Sequence, residues 1–241
     1  MGMIDMHCHI IPGVDDGAQT KADVRKMLRM EYNSGVRTLI LTPHYRKGLF
    51  EPPKELVAER AQQVMHEIKR MKLDMKVYLG CEYHANADML ADVQENPNFR
   101  MNGGRYVLVE FHETHTMTRI RNWIYQLVAG GFYPIIAHVE RYPQLMEKME
   151  YVEELIELGA LIQVDASALI GKDGFRLKRV ARNLLKKEYI HFIGSDAHDT
   201  KVCYPNLDLC RKYVEKRKGQ EYAQEIFVTN PQKLLENQKN C

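Results

Sequence analysis

The chain has 241 residues, of which 45% are hydrophobic and 27% charged, with a formal net charge of +2. That length buries a sizeable core as one large α/β domain or two small ones, and the composition is that of an ordinary globular protein. The near-neutral balance excludes a bulk field that would recruit nucleic acid or an anionic membrane, and no apolar run is long enough to span a bilayer.

The amino terminus lacks the charged-then-apolar layout of a secretory signal, and its Met-Gly opening is not followed by Ser or Thr at the sixth position, so a cytoplasmic protein is expected. The first strand-like run, Met3–His9, ends in His7 and His9. Side chains alternate faces along a strand, so these imidazoles project together while Cys8 points the other way. The loop Val14-Asp15-Asp16-Gly17 follows, offering Asp16 as a ligand with Asp15 as competitor, unless either only shapes the turn. A helical pattern over Val24–Met30 leads to the second run, Arg37–Thr42, and to His44 in L-T-P-H, with Arg46 and Lys47 just beyond. A helical stretch over Leu56–Met71, with His66 as a solvated surface residue, precedes the third run, Met75–Cys81. Glu82 follows it directly.

The fourth run, Arg105–Phe111, carries Glu110 near its end, and His84, His112 and His115 are read as loop residues near the same mouth. Ile120, Trp123, Ile124, Leu127 and Val128 keep the spacing of a helix with one buried face. The fifth run, Tyr133–Ala137, delivers His138, with Arg141 three residues on. A noisier helical pattern over Leu145–Leu158 precedes the sixth run, Ala160–Asp165, and Leu177, Val180, Ala181, Leu184 and Leu185 form a further helix. The seventh run, Tyr189–Gly194, leads to Asp196 and His198, with His191 read as mid-strand packing. The last forty residues look helical, Asn230-Pro231 opening a final helix.

No linker, low-complexity tract or repeat divides the chain, which reads as a single domain over residues 1–241. Strands alternating with helices predict parallel pairing and an α/β fold, a distorted seven-stranded, TIM-like β/α barrel. A doubly wound open sheet is the alternative, since periodicity does not separate closed from open. In a β/α barrel the carboxyl ends of the strands carry the site, so polar residues at six strand ends converge on one mouth. Burying so many polar groups in one place is costly unless they bind something. The nine candidate ligands are His7, His9, Asp16, His44, Glu82, Glu110, His138, Asp196 and His198.

Imidazole and carboxylate without thiolate suit Mn²⁺, Fe²⁺ or Zn²⁺ better than Ca²⁺ or Mg²⁺, and nine ligands exceed the needs of one ion. Three divalent ions would outweigh the four carboxylates of Asp16, Glu82, Glu110 and Asp196, leaving a site that attracts a phosphate dianion. Divalent ions then supply a water-derived nucleophile near neutral pH and stabilise an in-line phosphoryl displacement. The Arg141 fork suits phosphate oxygens, with Arg46 and Lys47 as a second candidate clamp. The five cysteines are odd in number without C-x-x-C spacing, which argues for reduced thiols; Cys8 and Cys81 face packing and Cys241 reads as a frayed terminal residue. A thiol-based tyrosine phosphatase needs Arg six positions after its Cys. Here Cys8, Cys81, Cys203 and Cys210 are followed at that position by Val14, Ala87, Leu209 and Lys216.

The H-x-H strand, T-P-H, mid-chain Glu, H-x-E-R and S-D-A-H segments resemble the polymerase and histidinol phosphatase (PHP) superfamily. Within it, MIDMHCHIIPGVDDGAQT, LTPHYRKG, HVERYP and GSDAHDT resemble the manganese-dependent bacterial tyrosine phosphatases linked to capsule and exopolysaccharide synthesis, and the likeness runs from Ile4 to the NPQKLLEN segment. The resemblance implies a trinuclear site on a distorted barrel. It places His7, His9, Glu82 and Asp196 around one metal, Glu82, Glu110 and His138 around a second, and Asp16, His44 and His198 around a third. It also implies Mn²⁺ as cofactor and phosphotyrosine on the tail of a tyrosine autokinase as substrate. Relatives often carry an arginine shortly after S-D-A-H, where this chain offers Lys201 and Cys203, so Lys201 stands in as a point charge for phosphate. Asp16 and His44 are the candidate leaving-group acids. The rival readings are a related phosphoesterase for histidinol phosphate or another small ester, and a non-catalytic phosphotyrosine-docking module. No basic and aromatic stripe supports a nuclease.

Overall fold

A computed structural model describes residues 2–146 and 148–236; Cys241 and Asn237, the last residue of the NPQKLLEN segment, lie outside the described residues. The fold is α/β with parallel strands. Strand β1 (Met3–Cys8) is buried along its whole length. Helix α1 (Lys21–Asn33) follows, opened by a capping box in which the Thr20 hydroxyl accepts from the Asp23 backbone and the Asp23 carboxylate accepts from Thr20. Then come β2 (Val36–Leu41), β3 (His44–Tyr45), α2 (Lys54–Arg70), β4 (Lys76–Leu79), β5 (Glu82–His84), α3 (Met89–Glu95), β6 (Tyr106–Glu110) and α4 (Met117–Ala129). The remaining elements are β7 (Tyr133–Ile136), α5 (Pro143–Met146), α6 (Met149–Glu157), β8 (Leu161–Asp165), α7 (Ala166–Ile170), α8 (Phe175–Lys187), β9 (Phe192–Gly194), α9 (Leu207–Lys218), α10 (Gln220–Gln224) and α11 (Asn230–Glu236).

The strands form a three-stranded sheet, β1-β2-β4, and a six-stranded sheet, β3-β5-β6-β7-β8-β9. Seven sequence runs thus become nine strands, because the second and third runs are each broken before their functional residue. Pro43 has no N–H for the ladder, and a Cβ on Gly80 would meet the Met101 sulfur at 2.8 Å. Backbone hydrogen bonds from Gly80 to Leu41 (2.8 Å) and from Glu82 to Pro43 (3.1 Å) stitch across these breaks. At the other extreme, Asp196 N–H donates to the His7 carbonyl and His9 N–H to the Ala197 carbonyl, both at 2.9 Å, linking β1 to the segment after β9.

The seventh strand is shorter than its sequence run, and His191 lies before it rather than within it. The ring instead accepts the Ile162 N–H at 3.1 Å, satisfying a donor beside β8. His66 is exposed on α2, as expected. The carboxyl-terminal stretch is helical, but Asn230-Pro231 does not start a separate helix after a break. A π-helical turn over Glu225–Thr229 carries the chain from α10 into α11. Proline would otherwise clash with the carbonyl four residues back, and the wider turn accommodates it.

Most core residues lie between the strands and the surrounding helices. A smaller apolar cluster that includes Ile4, Met6, Ile40, Leu108, Ile135 and Phe192 is formed from the strands. The β1 register shifts between Asp5 and Cys8. From there the expected alternation holds, with His7 and His9 turned to a shared site and Cys8 buried, its thiol directed at the Ile40 carbonyl. No helix among the described residues is long and apolar enough to cross a membrane.

Candidate metal centre

The strand ends bring imidazoles and carboxylates into one buried knot. The His7 and His9 Nε2 atoms lie 3.2 Å apart. Glu82 Oε2 is 3.0 Å from His7 Nε2 and 3.2 Å from His9 Nε2, and Asp196 Oδ1 is 3.2 and 3.4 Å from the same two atoms. These four residues form one group whose donor atoms fall within 4.8 Å of one another; His44, Glu82 and Glu110 form a second, and His9, His44 and His198 a third. His138 Nε2 lies 2.8 Å from Glu82 Oε1, and Asp16 Oδ1 lies 3.5 Å from His44 Nε2 and 3.6 Å from His198 Nε2. All nine residues singled out in the sequence therefore meet at one place.

Close backbone approach makes this possible. A Cβ on Gly194 would sit 2.6 Å from the His7 Cβ, and one on Gly17 only 2.2 Å from the His9 carbonyl. His138 and Asp196 both adopt positive φ, 32° and 49°. Such backbone is costly for residues with a Cβ and persists where the surroundings force it.

The imidazoles are oriented by partners on their far nitrogens, as in metal sites generally. The Gln163 carbonyl oxygen accepts the His138 backbone N–H at 2.7 Å, which fixes the amide orientation, and it accepts from His7 Nδ1 at 3.3 Å. His9 Nδ1 donates to Asp15 at 2.9 Å, and His198 Nδ1 to the Asp196 carbonyl at 2.8 Å. His138 Nδ1 shares a hydrogen bond with the Tyr142 hydroxyl at 3.2 Å, while its Nε2 faces Glu82. Each of these four rings thus presents Nε2 to the knot. The choice between Asp15 and Asp16 also resolves in position: Asp15 is buried and takes both the His9 ring and the His44 N–H, while the Asp16 side chain is 59% exposed beside His44 and His198.

Burial lowers the pKa of an imidazole, yet the Glu82 and Asp196 carboxylates outweigh it at His7 and raise it to about 9. Burial likewise pushes the Glu82 carboxyl up, but His7 and His44 hold it well below its usual range, and Arg141 and His7 do the same for Asp196. The donor set of imidazole nitrogens and carboxylate oxygens fits divalent transition metals. Asp196 Oδ1 is buried and makes no hydrogen bond, only ion-pair contacts with His7 and His9, which leaves it placed to act as a metal donor.

The knot opens into a cavity of about 270 Å³, lined by Asp16, His44, Arg46, Leu49, Phe50, Glu110, His138, Arg141, Asp196 and His198. Arg141 faces it with its Nη2 shared between Asp165 Oδ2 at 2.6 Å and Asp196 Oδ2 at 2.5 Å. Arg46 also lines the cavity, whereas Lys47 is not among the lining residues and pairs with Asp88 (2.9 Å) and Asp92 (3.1 Å). Lys201 is not among the lining residues; it sits in an exposed turn whose backbone donates to Asp199. His84 belongs to β5 rather than a loop, and its Nδ1 bonds Glu110 at 2.8 Å.

Sequence reasoning missed several supports. Asp165 ends β8, the strand end that supplied no candidate, and its position was the signal that could have found it. Gln163, Tyr142 and the buried Asp5, which accepts both the Ser195 N–H and the Ser195 hydroxyl, carry no spacing signal.

The family model described as capsular polysaccharide synthesis, CpsB/CapC, matches residues 3–236. The chain is 32% identical to the tyrosine-protein phosphatase CpsB of Streptococcus pneumoniae, over 98% of this chain and 99% of that protein. It is also 32% identical to the tyrosine-protein phosphatase YwqE of Bacillus subtilis, over 98% and 92%. A crystal structure from work on YwqE of B. subtilis and CpsB of S. pneumoniae, described as metal-dependent tyrosine phosphatases, matches with a TM-score of 0.91 at 32% identity, covering 98% of this chain and 95% of that one. A histidinol phosphate phosphatase of Lactococcus lactis, complexed with zinc, L-histidinol and phosphate, matches with a TM-score of 0.57 at 15% identity over 90% and 94%, a likeness of fold alone.

Proposed function

The chain belongs to the CpsB/CapC capsular polysaccharide synthesis family, and from that membership we propose that it is a metal-dependent protein tyrosine phosphatase acting in capsule or exopolysaccharide synthesis. The observation that carries the reading is the buried quartet His7, His9, Glu82 and Asp196, set beneath an open cavity that Arg141 faces. The proposed ligands are His7, His9, Asp16, His44, Glu82, Glu110, His138, Asp196 and His198, holding two or three Mn²⁺ ions, with Fe²⁺ or Zn²⁺ as substitutes. When bound, such ions supply an activated water near neutral pH and offset the charge of a phosphoryl group in displacement.

The chain's own residues do the rest. The Arg141 guanidinium, braced by Asp165 and Asp196, keeps donors free for phosphate oxygens, and Arg46 is placed to add a second contact. As the ester bond breaks, the leaving phenolate needs a proton. Asp16 and His44, 3.5 Å apart at the mouth, are the candidate donors of that proton to the extent that they are not committed as metal ligands. Lys201, in its exposed turn, would reach phosphate only through the length of its side chain.

The substrate proposed is phosphotyrosine on the tail of a bacterial tyrosine autokinase. A cytoplasmic location fits the free thiols of Cys8, Cys81, Cys203 and Cys210. The two sheets and the β1 link to Ala197 support a single domain over residues 1–241, built as a seven-stranded β/α barrel of PHP type.

The test is turnover of a phosphotyrosine peptide against histidinol phosphate, by metal-free and Mn²⁺-reconstituted protein, with elemental analysis of bound metal. The expected result is peptide turnover that chelation abolishes and Mn²⁺ restores. Turnover surviving chelation would sink the metal mechanism, and a preference for histidinol phosphate would favour the small-ester alternative.

A further inference from the structure

The cavity over the metal centre is polar on every side but one. Of its ten lining residues, only Leu49 and Phe50 are apolar. Both come from a single tight hairpin, closed by Arg46 N–H to the Phe50 carbonyl at 2.8 Å and Phe50 N–H to the Arg46 carbonyl at 2.9 Å. Gly48 takes positive φ at its tip, and its N–H donates to Glu51 at 2.7 Å. The hairpin is therefore a built element.

Single exposed aliphatics are ordinary on protein surfaces. Leu49 differs in its setting, because it stays 60% exposed while lining a cavity whose other walls, Phe50 apart, are charged and imidazole groups. Phe50 lies nearly parallel to the His44 ring, centroids 5.7 Å apart at 9°. The phosphoryl end of an ester is served by the cations and imidazoles; a carbon wall can only serve what hangs from the ester oxygen. A flat aromatic group gains there both from buried area and from stacking on an aromatic face, which a short alkyl group does not.

We infer that the Arg46–Phe50 hairpin is the specificity element of this site, Leu49 and Phe50 receiving the aryl ring of an aryl phosphate ester. The inference rests on the phosphatase reading above and deepens it: the hairpin selects phosphotyrosine over phosphorylated aliphatic hydroxyls.

The test compares phenyl with ethyl phosphate turnover by the Mn²⁺-reconstituted full chain, alongside competition by phenylphosphonate and ethylphosphonate. The phosphonates cannot be hydrolysed, so their binding ratio is free of leaving-group chemistry. Leu49→Ala and Phe50→Ala should each lower the phenyl-to-ethyl ratio about five-fold, and the double variant about tenfold or more, in kcat/KM and in phosphonate binding alike. The change should fall mainly in KM. Val202→Ala, a 77% exposed apolar residue outside the cavity, should leave the ratio at the parent value. Metal content measured on each variant separates loss of the wall from disturbance of His44 and the other proposed ligands. Unchanged ratios in Leu49→Ala and Phe50→Ala overturn the inference, as does a parent protein that binds the two phosphonates equally or not at all. Parent protein that hydrolyses neither ester refutes the phosphatase reading, while the phosphonate ratio still judges the hairpin.

Discussion

Asp165→Asn should separate the posture of Arg141 from the integrity of the metal centre. Asp165 is fully buried, and its Oδ1 accepts from Gln163 Nε2 at 2.9 Å while its Oδ2 holds Arg141 Nη2 at 2.6 Å. Gln163 cannot turn over to suit a new partner, because its oxygen is committed to the His138 N–H. In the variant the amide oxygen must therefore face Gln163, which sets the new NH₂ against Arg141, donor to donor. An ion pair with one partly exposed member is worth about 1 kcal/mol or less, and the Arg141 side chain is 39% exposed. Against the loss of that ion pair, burial makes the ionised Asp165 costly and pushes its pKa up, so neutralising it returns part of the difference. The net change in stability should be below about 1 kcal/mol, readable by urea denaturation. Arg141, left to Asp196 alone, loses its fixed direction, and misplacing a positioning group by an ångström costs up to about 10²-fold. The expectation is a ten- to hundred-fold loss in kcat/KM for a phosphotyrosine peptide at unchanged metal content. In an Arg141→Ala background the same change should cost almost nothing more. Activity within twofold of the parent, or an undiminished loss in the arginine-free background, would refute the reasoning.

Other perturbations address the knot itself. His138→Ala should lose metal and most activity, whereas Arg141→Ala keeps its metal while kcat/KM falls about 100-fold; loss of metal from the arginine variant would make Arg141 a structural residue. Gly194→Ala places a methyl 2.6 Å from the His7 Cβ and should lower metal occupancy and stability together by elemental analysis and urea titration; normal occupancy would mean that β9 can retreat. Because the surrounding carboxylates raise the His7 pKa to about 9, metal loading between pH 7 and 8 must expel protons, and apparent affinity should climb about tenfold per pH unit for each proton released, levelling near pH 9. Calorimetry in two buffers of different ionisation heat reads that release, and identical heats would contradict it.

How much of this was legible in the sequence follows from where each residue's information lies. His7 and His9 sit at a strand end and share a face by pleat alternation, so local spacing alone pairs them. Glu82, His138 and Asp196 were found because they follow apolar runs, and a β/α fold turns that position into convergence. The breaks at Pro43 and Gly80 were written in the sequence but concealed by the apolar residues around them, so two runs read as continuous strands. Asp165 gave no signal of its own because it closes the sixth run as its last residue, with α7 beginning directly after it. Gln163 lies two residues earlier on the same strand, yet its task is set by the His138 backbone, twenty-five positions away. Asp5 joins β1 to Ser195 across 190 positions. No periodicity encodes such pairings; they exist only once the strands stand side by side. First-contact ligands announce themselves through chemistry and strand position, while the residues that aim them are chosen by three-dimensional neighbours. A chain that keeps all nine proposed ligands should therefore still lose activity if Gln163 or Asp165 changes.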